Sequence, residues 1–267
     1  MRLIALGTLL ALTLPALAQV TTQPVSSTVI PRQHAPMRVR TVLPSGEVES
    51  TNWSGYAATG SSFTVAKGSW VVPAVNCTKT PNTYSSFWVG IDGYSSSTVE
   101  QTGTDSDCDG RTADYYAWYE FYPAGSVLIS SVPVAVGNVM SAEVSYNSGS
   151  SFTIKITNET TGKSFSKTGS VSGAQRTSAE WIAEAPCCTR RGGILPLADF
   201  GTVDFGQDYT NISGTNDATD SSTSGPISDF GGNVNEIIMV SNSGTEEAVP
   251  SSLTSDGSSF DVVWKSE

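Results

Sequence analysis

Apolar and polar residues alternate in short runs along most of this chain, and clusters of Ser, Gly, Asn and Asp separate the runs. A period of two sends neighbouring side chains to opposite faces of a strand, and no helical period lasts beyond a turn or two. The pattern predicts strands at 52–57, 63–73, 84–92, 98–103, 115–123, 140–146, 152–158, 163–168, 178–186, 195–205, 236–240 and 260–264. Asn147-Ser-Gly149 and residues 158–162 read as turns between them. About a dozen strands without helices imply an all-β protein, a double-sheet antiparallel β-sandwich of the jelly-roll, concanavalin-like kind.

Three of these strands carry more than core. In 84–92, Phe87, Val89 and Ile91 share a face that reads as core, while Trp88, Gly90 and Asp92 share the other. That second face fits either a groove floor or an edge capped by the indole. Residues 115–123 hold six aromatics in nine positions, more than one core face uses, so one side is expected to line a cleft. In 178–186, Glu180, Ile182 and Glu184 alternate with Ala179, Trp181 and Ala183, and Pro186 ends the pairing, which sets Glu184 at a strand end.

The first 50 residues do not follow this pattern. Residues 1–18 combine Arg2, an apolar run and Ala16-Leu-Ala18, the anatomy of a secretory signal peptide too short to span a bilayer. Residues 19–50 hold Pro24, Pro31, Pro36 and Pro44 with Arg32, Arg38 and Arg40, as a propeptide or a disordered linking lead would. A single catalytic domain is then expected over 51–267, with a mature start near 45–52.

Charge sharpens the division. The first 50 residues take four of the 14 Lys and Arg and two of the 25 Asp and Glu, which leaves residues 51–267 with a net charge of −13. A basic lead could therefore cover an acidic body. So acidic a body argues against nucleic acid as partner, and its few bases keep self-repulsion modest in acid. The lone histidine, His34, lies in the lead, so its removal leaves no histidine for a Ser-His-Asp triad, a Cys-His pair or a His-ligated zinc. The four cysteines, Cys77, Cys108, Cys187 and Cys188, form no Cys-x-x-Cys pair and suggest disulfides in an exported chain. Crossed pairs, or Cys77–Cys108 with a free or vicinal remainder, are all open.

Six stretches taken together resemble the glutamic peptidases, or eqolisins: Asn52-Trp-Ser-Gly55, Phe87-Trp-Val-Gly-Ile-Asp-Gly93, Gln101-Thr-Gly103, Ala117-Trp-Tyr-Glu-Phe-Tyr-Pro123, Ala179-Glu-Trp-Ile-Ala-Glu184 and Ala198-Asp-Phe-Gly-Thr-Val203. The resemblance implies a secreted, acid-acting endopeptidase, insensitive to pepstatin and made as a precursor. It further implies a monomer acting on polypeptides, with no cofactor, metal or membrane partner. It places catalysis on Glu184 and Gln101, and substrate contacts on Trp53, Trp88, Asp92, Trp118, Tyr119 and Glu120. The chain departs from the pattern at Tyr116, where an aspartate is expected, and at Ala185-Pro-Cys-Cys188, which replaces an acidic stretch.

The chemistry of the pair agrees. Hydrolysis without a metal or a covalent nucleophile needs a base for water, a proton for the leaving amine and a donor for the oxyanion. A glutamate can serve in the first two roles in turn, and it is partly protonated only in acid. An amide donor does not titrate, so glutamine stays competent there. A pepsin-like site would need two Asp-Thr/Ser-Gly loops, which are absent. The other reading is a carbohydrate-active sandwich using Glu180 and Glu184. On one extended strand those acids would stand about 13 Å apart, wide even for an inverting pair.

Overall fold

The computed structural model describes residues 31–188 and 192–267; the signal peptide expected at 1–18 and the lead as far as residue 30 lie outside the described residues. The strands run in order as β1 (Val39–Val42), β2 (Val48–Ser50), β3 (Trp53–Thr59), β4 (Val65–Val71), β5 (Ser86–Ile91), β6 (Val99–Asp109), β7 (Thr112–Tyr122), β8 (Val127–Pro133) and β9 (Val139–Ser148). They continue as β10 (Ser151–Asn158), β11 (Lys163–Ser170), β12 (Ser178–Glu184), β13 (Thr202–Phe205), β14 (Asp217–Thr219), β15 (Ser224–Pro226), β16 (Val234–Val240), β17 (Glu246–Pro250) and β18 (Phe260–Trp264). One helical turn at Gln207–Thr210 and a 3-10 segment at Ile227–Asn233 complete the described elements.

Pairing follows one path that folds back on itself. One layer runs β8-β7-β6-β5-β12-β3-β16 and the other β11-β10-β9-β4, all antiparallel. Strands β17, β18 and β13 carry the ladder round from β16 to β4. The layers face each other through β4, β5, β6, β9 and β10. Between them lies the main core, where Phe87, Val89 and Trp181 of one layer belong to the same cluster as Trp70, Met140 and Phe152 of the other. The expected sandwich is therefore present, and the alternate residues of β5 and β12 are left for the outer face of the first layer.

That outer face holds a second cluster, which includes Trp53, Trp88, Tyr116, Trp118 and Ile182. Its floor requires glycine: a Cβ on Gly103 would come within 2.3 Å of the Phe87 carbonyl oxygen and 2.5 Å of the Trp88 Cβ. Gly103 thus lets the Trp88 indole lie across the neighbouring strand.

Several details differ from the sequence reading. Strand β6 continues to Asp109, well past Gly103, because β7 pairs with it over its whole length and the Cys77–Cys108 disulfide ties its end. Cys187 and Cys188 are bonded to each other, which closes the question of pairing. Asn-x-Ser/Thr sequons, glycan acceptors where the host glycosylates, begin at Asn52, Asn76, Asn158 and Asn211; Asn76 and Asn211 are exposed, whereas Asn52 and Asn158 are buried and hydrogen-bonded and are not available as acceptors in this fold. Residues 31–50 are docked on the body: β1 pairs with β2, and β2 runs parallel to β16 at the edge of the first layer.

Candidate active site

Three rows of side chains cross the outer face of the first layer, set by antiparallel register. Glu184, Ser86, Asp105 and Tyr116 form one row across β12, β5, β6 and β7; Ile182, Trp88, Gly103 and Trp118 form the next; Glu180, Gly90, Gln101 and Glu120 form the third. Trp53 of β3 stands beside Glu184, and its ring meets Trp88 edge-on with centroids 4.9 Å apart. Glu184 and Gln101 therefore stand on either side of a floor made by Trp88 and two glycines.

The lead fills the space between them. The backbone N–H of Ala35 donates to Glu184 Oε1 at 3.1 Å, and the carbonyl of His34 accepts from Gln101 Nε2 at 3.0 Å. The two side chains thus hold the two ends of one peptide group. Gln101 Nε2 also donates to Glu120 Oε2 at 3.0 Å, and that same oxygen accepts the His34 N–H at 3.0 Å. Trp88 Nε1 donates to Glu184 Oε2 at 2.8 Å, and His34 Nδ1 lies 3.3 Å from that oxygen. The imidazole stacks on Trp118 with centroids 3.6 Å apart and an interplanar angle of 11°, and its Nε2 lies 3.7 Å from Asp105.

Either side of this peptide group the lead is held by backbone and polar contacts. Gln33 and Cys187 exchange backbone hydrogen bonds of 3.0 and 2.8 Å, while Arg32 pairs with Asp107 and lies over the Tyr84 ring. Beyond Ala35, its carbonyl accepts from Trp53 Nε1 at 3.1 Å, and the Asn52 side chain donates to the Pro36 carbonyl and accepts from the Arg38 N–H.

Burial governs the electrostatics. Glu184 is fully buried, and desolvation pushes its carboxyl well above the ordinary range, with Glu120 adding to the shift and the hydrogen bonds from Trp88 and Ala35 opposing it. Burial likewise raises Glu120 and Asp105, and Asp107 is pushed up to about 7. Tyr116 caps the last two, its hydroxyl donating to Asp105 at 2.7 Å and to Asp107 at 2.9 Å. His34 is held well below its ordinary pKa by burial.

A second buried acidic group follows the same rule. Burial raises Glu100 to about 9, with Asp92 contributing, and raises Glu180 well above its ordinary value. A carboxyl raised in the folded chain keeps its contribution to stability below the unfolded pKa and loses it as pH climbs toward the folded value. Thermal unfolding should therefore show the highest Tm in acid, with a fall between the unfolded 4.5 and the folded value of about 9 for Glu100. Glu100→Gln, which cannot ionise, should flatten that fall; a Tm that rises with pH in both proteins would contradict the assignment.

Of the residues singled out from sequence, Glu184, Gln101, Trp53, Trp88, Trp118 and Glu120 all touch the lead or a side chain that does. Asp92 and Tyr119 do not. Asp92 is buried and spends its carboxylate on the backbone N–H groups of Gln175, Arg176 and Thr177, so it anchors that loop. Tyr119 lies on the opposite face of β7 from Trp118 and packs against Phe121 and Phe165. The site also contains residues not singled out as site residues: Asn52, Asp105, Asp107 and Tyr116. For two of them a signal existed, since a period of two from Gln101 puts Gly103, Asp105 and Asp107 on its face.

Residues 51–255 match the Peptidase A4 family. Aspergillopepsin-2 of Aspergillus niger is 32% identical over 183 residues, covering 60% of this chain and 64% of that protein. Scytalidopepsin B of Scytalidium lignicola is 34% identical over 175 residues, covering 64% and 65%. The chain thus spans slightly under two thirds of these relatives. A crystal structure of scytalido-glutamic peptidase with a transition state analog inhibitor superposes with a TM-score of 0.66 at 26% identity, over 80% of this chain and 98% of that one.

Proposed function

Because the chain belongs to the Peptidase A4 family, the glutamic peptidases or eqolisins, we propose that it is a secreted endopeptidase working in acid, with Glu184 and Gln101 as its catalytic pair and a propeptide in the lead that begins at residue 19. The observation that carries the reading is the peptide group between His34 and Ala35, with its carbonyl on Gln101 and its N–H on Glu184. In a substrate so placed, Glu184 takes a proton from water as the water adds to the carbonyl carbon. The Gln101 amide holds the oxygen that gains charge, and Glu184 returns the proton to the leaving nitrogen. Glu120, bonded to Gln101 Nε2, sets the direction of that amide.

The acid optimum follows from protonation state. While the lead covers it, Glu184 is buried and its carboxyl is raised. Once the lead leaves, water returns and relieves part of the desolvation that raises the carboxyl, and a carboxyl in water holds base and acid forms together only in acid. Polypeptides are the substrates this arrangement suits, and export is consistent with two disulfides.

The test is hydrolysis of denatured casein across acid pH by the processed chain, with the precursor expected to be the less active form. Among the described residues no group of three or more His, Cys, Asp or Glu is arranged to hold a metal. With water as the nucleophile and Glu184 and Gln101 as the working groups, activity should survive chelators, serine and cysteine reagents, and inhibitors shaped for an aspartate pair. Loss to a chelator would require a metal held by carboxylate or carbonyl oxygens and would overturn the mechanism.

A further inference from the structure

We propose that the His34–Ala35 bond is the chain's own first substrate, cut within the same molecule to release residues up to His34 and leave Ala35 as the new N-terminus. The inference rests on the peptidase reading above and adds to it which bond is cut, by which copy, and where the mature chain begins.

The geometry is that of a bound substrate rather than of a plug. A plug needs only to fill space, yet here the carbonyl and the N–H of one peptide group lie on the two side chains that hydrolysis uses, at 3.0 and 3.1 Å. The flanking backbone is held on both sides: Gln33 pairs with Cys187 just after the catalytic strand, and the Met37 N–H donates to the Gly93 carbonyl at 3.0 Å. A segment anchored on both sides keeps the bond between its anchors in register with the site, which favours attack within the molecule.

The step balances with water as co-reactant. Its oxygen adds to the His34 carbonyl carbon, and one of its protons passes to the Glu184 carboxylate. The C–N bond then breaks with its electron pair on the Ala35 nitrogen, which takes that proton from Glu184. The products are a carboxyl group on His34 and an amine on Ala35. In the docked state the imidazole, 3.3 Å from Glu184 Oε2, occupies the side of the base that water must reach. Displacement of that ring is what starts the reaction, and the cut falls upstream of the 45–52 interval that composition alone suggested.

The downstream segment has reason to stay. β1 pairs with β2, and β2 lies parallel to β16, so residues 39–50 belong to the sheet after the cut. The experiment is a shift of purified full-length chain from neutral to acid buffer at protein concentrations spanning about a hundredfold, with termini read by mass spectrometry and casein hydrolysis followed in parallel. A fragment ending at His34 and a chain beginning at Ala35 should appear together, with a rate constant independent of concentration. Glu184→Gln should stay intact. Ala35→Pro, which has no N–H to give Glu184, should lose this cut while added processed wild-type enzyme still digests casein beside it.

Casein hydrolysis by a chain whose His34–Ala35 bond is intact in every fragment overturns the inference and leaves the peptidase reading standing. A rate that scales with protein concentration overturns the intramolecular step, and a cut that persists in Glu184→Gln assigns it to another agent. A chain that cleaves neither itself nor casein fails the peptidase reading, and the inference falls with it.

Discussion

Glu184→Gln should be a folded protein without measurable hydrolysis of casein at any pH. The amide keeps the shape of the side chain and can still meet Trp88 Nε1, but it cannot take a proton from water. Gln101→Ala leaves the base and removes the oxyanion donor, so kcat should fall about 10²–10³-fold with a smaller change in KM. Because both groups act on one transition state, the double variant should lose far less than the two single losses combined. Glu180→Gln is the control. Although it shares a strand face with Glu184, it lies in the far row beside Gly90, next to Asp92 and Glu100, and activity should be retained. If Glu180→Gln is inert while Glu184→Gln cleaves casein, the pair is misassigned and a glycan-active reading of the sandwich becomes the better one.

The second large effect is on the hold of the lead as a function of pH. His34 is wholly buried, stacked on Trp118 of β7, with Asp105 of β6 and Glu184 of β12 at its ring nitrogens and Glu120, Asp107 and Tyr116 close by. Free imidazole takes a proton below about pH 6.5, whereas the docked ring resists it, so the bound state loses about tenfold in affinity for each pH unit below that value until the ring charges in place. The raised carboxyls act with the opposite sign: docking stabilises their protonated forms and weakens as pH climbs through their docked values. A synthetic peptide of residues 31–34, tested against processed enzyme, should therefore inhibit best at intermediate pH. His34→Gln in the peptide should abolish the weakening on the acid side and leave the alkaline side; an acid limb that survives this change belongs to some other group.

Much of this was legible in the residues, for identifiable reasons. Alternation fixed the two faces of β5, with Phe87, Val89 and Ile91 in the main core and Trp88 on the outer face, since period two leaves little freedom once one face is buried. The positions of Glu184 and Gln101 follow from motif and strand parity together. The same parity could have removed Tyr119, which alternates with Trp118 and Glu120. Asp92 falls just past the end of β5 with a positive φ, so strand alternation does not reach it; its carboxylate's partners are set by a loop more than eighty positions away, and no local pattern encodes that choice. The continuation of β6 through Thr104-Asp-Ser-Asp-Cys108 was hidden by its polar composition, which Trp70, Tyr116, Arg32 and the Cys77 crosslink help make acceptable in a buried strand. The docking of residues 31–38 left no periodic trace, because a segment bound mainly through its backbone, one stacked ring and one ion pair needs no apolar repeat.

The short hairpin of β1 and β2 decides how completely a single cut changes the enzyme. While the bond is intact, Ala35 is joined to a strand already built into the sheet at Val48–Ser50. The occupying segment therefore competes as a tethered ligand, at an effective concentration in the millimolar range or above for so short a connection. No dilute substrate displaces it. After hydrolysis the stretch ending at His34 has lost that tether and competes only at the concentration of the protein itself, where a few backbone hydrogen bonds and one stacked ring cannot hold it. Dilution then supplies the direction of the switch: the chemistry of one peptide bond is small in free energy, but the loss of the tether makes reoccupation of the site by the same segment a rare bimolecular event.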